Sequence, residues 1–158
     1  MPDQVNGVRM KIDGFLKVPD IKGPSKRDGH EDEIEVYGVD FQMKAPFDPN
    51  SLSRRGRVAL GTIEFTKHYD MSSPYLEKAL FENTLLDEVK FSARRTIEGE
   101  TKDYLVITLK EASVTDYTMS PSGTEPDLIE DKVSFAYKTI NFNYDGEHEI
   151  EMDVHVGK

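Results

Sequence analysis

The chain has 158 residues, enough for one domain that buries roughly 70% of its unfolded surface, so no second core is required. It contains no cysteine, which excludes disulfides and thiolate chemistry, and its thirty acids against twenty bases leave a formal charge of -10 that repels duplex nucleic acid and anionic membranes. No apolar run is long enough to span a bilayer, and the opening MPDQVNGVRM lacks the charged and apolar regions of a secretory signal.

In chain order, Val8, Met10 and Ile12 alternate with Arg9, Lys11 and Asp13, which predicts a first strand that Phe15 to Val18 extend after a kink at Gly14. Residues 21–32, IKGPSKRDGHED, read as a loop from their Gly, Pro and charge content. Ile34 to Phe41 is a second strand whose apolar phase shifts from Ile34 and Val36 to Tyr37, Val39 and Phe41, as a bulge or burial on both faces would produce. From Gln42 to Leu60 no period is sustained. Two prolines, Asn50 and the basic run Arg54, Arg55, Gly56, Arg57 make this a long loop, of a length that in a compact domain is usually either functional or mobile.

Residues 63–80, IEFTKHYDMSSPYLEKAL, form the centre of the chain. Ile63 and Phe65 face one way as a strand and Glu64 and Thr66 the other, before a polar turn from Lys67 to Ser72. Asp70 lies in that turn. Ser73 is placed to cap a helix and Pro74 suits its first position, where a missing amide proton costs nothing. Leu76, Ala79 and Leu80 then share one side, with Glu77 and Lys78 facing away.

Val89, Phe91, Ala93 and Ile97 next alternate with polar residues, broken by Arg95 on the apolar face, either a paired interface charge or a snorkelling side chain at a rim. A turn at Gly99 leads to Leu105, Ile107 and Leu109 as the partner strand of a hairpin, continuing or bending through Val114 to Tyr117. Residues 120–127 are a second long loop. Val133 to Tyr144 reads as one long strand with a phase flip near Lys138. After the Asp145-Gly146 turn, His148, Ile150, Met152 and Val154 alternate with Glu147, Glu149, Glu151 and Asp153, so the last strand has one wholly acidic face.

Seven or eight strands with one helix and no strand-helix alternation predict a mainly β, antiparallel barrel or sandwich over residues 1–158 as a single domain. A lone amphipathic helix among strands has to bury its stripe against a sheet.

Signatures of catalysis are absent: there is no G-x-G-x-x-G, phosphate loop, G-x-S-x-G or H-E-x-x-H. Asp48 and Asn50 begin like a calcium loop, but Leu52 puts hydrocarbon where an oxygen ligand is needed. His30 in HEDE, and His148 with His155 in EHEIEMDVH, place imidazole among carboxylates. Strand neighbours on one face lie about 7 Å apart, so a solvated edge is the favoured reading and no metal is expected. A triad through His68 lacks a nucleophile on a strained turn. Arg54, Arg55 and Arg57 have two readings of equal weight: a solvated loop tip, or a basic patch that meets the acidic face of Glu147, Glu149, Glu151 and Asp153 on another copy, head to tail.

The stretch F-x-K-x-x-D-x-S-S-P-x-L, carried by Phe65, Lys67, Asp70, Ser72, Ser73, Pro74 and Leu76, resembles the strand-to-helix passage of the hemolysin-coregulated protein (Hcp) family, the tube protein of type VI secretion systems. Phe15, Leu16, Lys17, Ile21, Lys22 and Gly23, followed by His30, Glu33, Ile34, Glu35 and Val36, resemble its opening strands. Tyr104, Leu105, Ile107, Leu109 and Lys110 resemble its Y-L-x-I-x-L-K strand, and Asp131, Val133, Phe135 and Tyr137 its E-x-V-x-L-x-Y strand. The parts occur in order across roughly Phe15 to Tyr144. The chain departs from the family pattern at Pro24, at Val39-Asp40-Phe41, and at Phe81-Glu82-Asn83, where a glycine usually follows the helix.

The resemblance implies a small antiparallel β-barrel with one lateral helix, subunit of a hexameric ring. Such rings stack into a tube that a contractile sheath expels behind a spike, with effector proteins carried in the lumen. It further implies a structural protein without enzymatic activity or cofactors, assembled in the cytoplasm and secreted without a signal peptide, with no nucleic-acid partner and no membrane insertion. Two other readings remain: a tube component of a related phage-like contractile injection device, or a monomeric β-barrel binding module or hydrolase with a pocket at His30, His68 or His148.

Overall fold

A computed structural model of the chain describes residues 4–5, 8–9, 11–50, 53–54, 58–123 and 125–154, with the backbone alone at 4–5, 8–9 and 53–54. The strands are β1 (Gln4–Val5), β2 (Val8–Arg9), β3 (Asp13–Lys17), β4 (Ile34–Val36), β5 (Gly38–Lys44), β6 (Phe47–Asp48), β7 (Ser53–Arg54) and β8 (Ala59–His68). The helix α1 (Ser73–Phe81) follows, then β9 (Leu86–Ile97), β10 (Glu100–Pro121), β11 (Ile129–Ala136), β12 (Thr139–Tyr144) and β13 (His148–Asp153). The expected mainly β, antiparallel fold with one helix is what forms.

Nine strands make one sheet in the order β4-β3-β9-β10-β11-β8-β5, with β12 also on β10 and β13 on β12. The two ends of that path, β4 and β5, are consecutive in the chain and separated only by Tyr37. Its N–H donates to the Thr66 carbonyl of β8 at 2.9 Å and its carbonyl accepts from Ile12 N–H at 3.0 Å. The ladder therefore does not close continuously; one residue carries the chain from one edge of the curled sheet to the other. This crossing is the physical origin of the phase shift between Val36 and Tyr37.

The first strand is not continuous through Ile12: β2 ends at Arg9 and β3 begins at Asp13, while Met10 lies outside the described residues. Gly14 does not kink the strand either, since it stays in register with Val36 and Ala93. A Cβ there would stand 2.8 Å from the Phe91 ring, so the glycine serves close packing.

The stretch 42–60 is not a structureless loop. β5 and β8 continue their pairing to Lys44↔Ala59, beyond an irregularity after Phe41, and β6 pairs with β7 beyond them. The described part of this ribbon is mostly exposed, so no core face imposed a period on its sequence.

β10 is the spine of the fold. It pairs with β9 through Ala112 and on its other side with β12 (Leu105–Lys110) and then β11 (Ser113–Pro121). The long strand expected over residues 133–144 is thus two strands laid end to end along β10. They break at Tyr137–Lys138, opposite Glu111, whose φ is +49°. Lys138 N–H still donates to the Lys110 carbonyl at 3.0 Å across the break. Ile97, expected in the apolar phase of β9, is exposed, because the core face ends at Ala93.

The core gathers Leu16, Ile34, Ile63, Leu76, Leu109 and Ile140 around Phe65, whose ring lies 5.1 Å from Phe91 and 5.9 Å from Phe135. Each such buried side chain contributes about 1.5–3 kcal/mol. The helix buries Leu76 and Ala79, with Leu80 half-buried, beside the part of β10 that β9 does not reach.

Candidate functional site

The helix entry is built on a buried polar centre. The alternation of β8 turns Ile63, Phe65 and Lys67 to the same inner face, and Lys67 is completely buried. Its place is therefore in the strand and not in the polar turn, which starts after His68. Its amine donates to the His68 carbonyl (3.0 Å), Asp70 Oδ1 (3.1 Å), Ser73 Oγ (2.8 Å) and Asp131 Oδ2 (3.3 Å). Asp131, directly opposite on β11 and equally buried, accepts the Ser73 hydroxyl at 2.7 Å and the Tyr117 hydroxyl from β10. Burial first, and then the bond to Asp131, holds the Tyr117 phenol well above its ordinary range.

Ser73 therefore does not cap the helix. Ser72 occupies the cap position without a side-chain bond to the helix, Ser73 is the first residue and Pro74 the second. The Ser72 hydroxyl goes to Asp70 and the Ser73 hydroxyl accepts from Asp70 N–H and turns to Asp131, so both are taken by the buried network. A serine beside a lysine has the makings of a nucleophile and base, but Ser73, Lys67 and Asp131 have no solvent exposure at all. What the arrangement does is fasten the start of α1 to β8, β11 and β10.

His30 is buried, stacked on Phe15 at 4.3 Å, with Nδ1 2.8 Å from Glu33 and Nε2 2.9 Å from Asp103. Arg94 joins the cluster, its Nε donating to Asp103 at 3.2 Å and its Nη2 to the Asp28 carbonyl at 2.9 Å. The histidine thus ties the 21–33 loop to β10. His68 meets Tyr37 edge-on and lies 3.4 Å from Glu125. His148 is exposed on β13, and His155 lies outside the described residues. Among the described residues no group of three or more His, Asp or Glu side chains is arranged to hold a metal ion.

Arg95 sits with its guanidinium 4.7 Å over the Tyr104 ring and 3.7 Å from Asp145, so it is both paired and rim-exposed. Among the described residues β13 pairs only with β12, which brings Glu149 opposite Asn143, Glu151 opposite Asn141 and Asp153 opposite Thr139. Glu147 precedes it in the turn. Ile150, on the other face, is 59% exposed, so this strand is an edge with neither face fully covered. Arg54 stands in β7 opposite Phe47, while its side chain and the whole of Arg55 and Arg57 lie outside the described residues. In sheet order the basic ribbon extends β5 and β8, and the acidic strand lies beyond β12.

The sequence reading missed Asp131 as the partner of Lys67, Tyr117 as a further donor to Asp131, and Asp103 as the partner of His30. The signal for the first was a lysine in phase with Ile63 and Phe65, since a cation on a core face demands buried acceptors.

A family model described as "Type VI secretion system effector, Hcp" matches residues 11–144. The chain belongs to the Hcp family. It is similar to "Protein hcp1" of Pseudomonas aeruginosa, 29% identical over 137 residues that cover 85% of this chain and 84% of the relative. It is also similar to the "Major exported protein" of the same organism, 28% identical over 133 residues, 80% of this chain and 77% of that one. Among solved structures, a mutant form of the Hcp1 protein from the E. coli EAEC 042 pathovar superposes with a TM-score of 0.79 at 25% identity, covering 92% of this chain and 99% of that chain. A structure described as a type six secretion system protein gives 0.80 at 20% identity, covering 93% and 98%, a likeness of fold. The buried centre of Lys67, Asp70, Ser73 and Asp131 lies within the matched residues and fastens the start of the helix to the sheet.

Proposed function

We propose that this chain, as one domain, is the repeating subunit of a type VI secretion tube: a closed ring of identical copies that stacks into a tube, is expelled by a contractile sheath behind a spike, and carries effector proteins in its bore. The observation that supports this most directly is the family match across residues 11–144. Two physical features agree with it. The β13 edge is unpaired on one side among the described residues, and Ile150 extends the core face into solvent, surface that a neighbouring copy would cover. Relatives with exported and secretion-system names support passage out of the cell after assembly inside it. The work is structural, with no reaction assigned to any side chain.

The ring or stacking contact is read from charge: Arg54, Arg55 and Arg57 of one copy against Glu147, Glu149, Glu151 and Asp153 of the next. Light scattering at low and moderate salt tests both levels. A particle of about six subunits that loosens as salt rises is expected, because screening weakens exposed charge pairs. A monomer at both salts would sink the tube reading. A ring that tightens with salt would remove only the charge contact.

A further inference from the structure

We propose that the peptide between Asp28 and Gly29 is a site of spontaneous backbone isomerisation, at which Arg94 eases attack of the Gly29 nitrogen on the Asp28 side chain and then holds the isoaspartyl product.

The chain contains three Asp-Gly pairs, at 13–14, 28–29 and 145–146. In such a pair the glycine nitrogen can close a five-membered ring on the aspartyl side chain, with no Cβ in the way and the reacting atoms already neighbours. The structure restrains two of the three. Asp13 is clasped by Arg27 at 2.9 Å, and Gly14 lies within the sheet, in register with Val36 and Ala93. Asp145 is held in the turn before β13 by Arg95 at 3.7 Å and Lys102 at 3.6 Å. Asp28 and Gly29 have no such restraint. Both are exposed in a turn where Gly29 has φ +83°, and among the described residues neither the Asp28 carboxylate nor the Gly29 N–H has a hydrogen-bond partner.

Arg94 completes the site. Its Nη2 donates at 2.9 Å to the main-chain carbonyl of Asp28, the oxygen of the same peptide group whose nitrogen must give up its proton. Its Nε is anchored on Asp103 at 3.2 Å, which fixes the donor in place. A cationic donor on that oxygen stabilises the charge that gathers there as the N–H is lost, so the proton leaves more readily.

The steps balance with water as the single reagent. The Gly29 nitrogen bonds to Asp28 Cγ, and the proton from nitrogen leaves with the hydroxyl of the carboxyl group as one water, giving a succinimide. Water then adds to the ring at the former main-chain carbonyl and breaks its bond to nitrogen. The chain now runs through the side-chain carbon, and the old carbonyl is a free carboxylate. That carboxylate forms where Arg94 already donates, so the isomer gains an ion pair that Asp28 lacks. His30 N–H closes on the Arg27 carbonyl at 2.9 Å across this dipeptide, so the added backbone atom also loosens the hold of His30 on Asp103.

The test ages the purified protein in neutral buffer and compares its tryptic peptides by mass and by fragmentation that distinguishes isoaspartate. Labelled S-adenosylmethionine with an isoaspartyl methyltransferase counts the new carboxylates independently. Isoaspartate at position 28 several-fold above that at 13 and 145 is expected, preceded by a form one water lighter. Asp28→Glu should abolish it, and Asp28→Asn should speed it several-fold because ammonia leaves in place of water. Asp28 is exposed, so both variants should keep the parent's circular dichroism. Arg94→Gln should slow the reaction several-fold at 28 and leave 145 unchanged. Arg94 also anchors the loop, so Asp103→Asn is the control: it loosens the same loop, keeps the donor and should not slow the reaction. Isoaspartate no more abundant at 28 than at 145 would overturn the proposal. So would an Arg94→Gln protein that isomerises as fast as the parent, or equal slowing by Asp103→Asn.

Discussion

Lys67 shows what one residue demands of its surroundings. An amine with no exposed surface is tolerated because four oxygens accept from it, two of them on carboxylates. Lys67→Met should destabilise the fold by about 3–5 kcal/mol, since it leaves the Asp131 and Asp70 carboxylates without their counter-charge. Urea unfolding measures this, and Lys67→Met with Asp131→Leu should cost less than the two single changes added together. Tyr137 makes a different prediction. It is nearly buried, its hydroxyl donates to the Gly61 carbonyl, and burial pushes its pKa up to about 12. A phenol raised in the folded state contributes its full stability below about pH 10 and loses it as pH climbs toward the folded value. Burial also raises Tyr37 and Tyr117, which add in the same direction. Unfolding free energy should therefore fall between about pH 10 and 12, and Tyr137→Phe should flatten part of that slope.

At the scale of elements, the helix end closes without a glycine. Asn83 takes the left-handed conformation at φ +53°, and Thr84 N–H closes back on the Ala79 carbonyl at 3.0 Å. Asparagine is tolerated there because its short polar side chain tolerates positive φ. Asn83→Gly should raise stability by up to about 1 kcal/mol and Asn83→Ala should lower it, read as opposite shifts in melting temperature. The hairpin between β9 and β10 uses the same device, with Glu98 at φ +53° and Gly99 at φ +77°, two residues that match the twist of the strands. The bend at Glu111 is what separates the β12 and β11 halves of the sheet along β10. Because side-chain alternation continues through such a bend with only a phase flip, the sequence showed one long strand at residues 133–144 where there are two.

For the whole molecule, the prediction concerns charge between copies. Reversing Arg54, Arg55 and Arg57 together to glutamate should shift the particle toward smaller mass at low salt if these residues face the acidic strand of a neighbour. Combining that change with lysine at Glu149 and Glu151 should restore it. Sedimentation of the two variants side by side checks the pair, and failure of the second to recover would break the proposed contact. Glu149 and Glu151 are exposed on β13, so lysine at these two positions should leave the subunit's own melting within about 0.5 kcal/mol of the parent.

The sequence by itself determined the class of the fold, the place of the helix and the family, because these rest on local periodicity and on ordered short motifs such as Phe65 to Leu76. Turn positions at Gly99 and Asp145-Gly146 were legible for the same reason, since positive φ selects few residue types. Only the tertiary structure decided that Lys67 is sealed against Asp131, that His30 is shared by Glu33 and Asp103, and that Tyr37 carries the chain between the two edges of the sheet. Those facts join Lys67 to Asp131 across 64 positions, His30 to Asp103 across 73, and strands at opposite ends of the sheet order, and no local pattern encodes which distant side chain will satisfy a buried charge. The pairing over residues 42–60 was hidden for the converse reason: its described part is mostly exposed, so no core face imprints a period on its side chains.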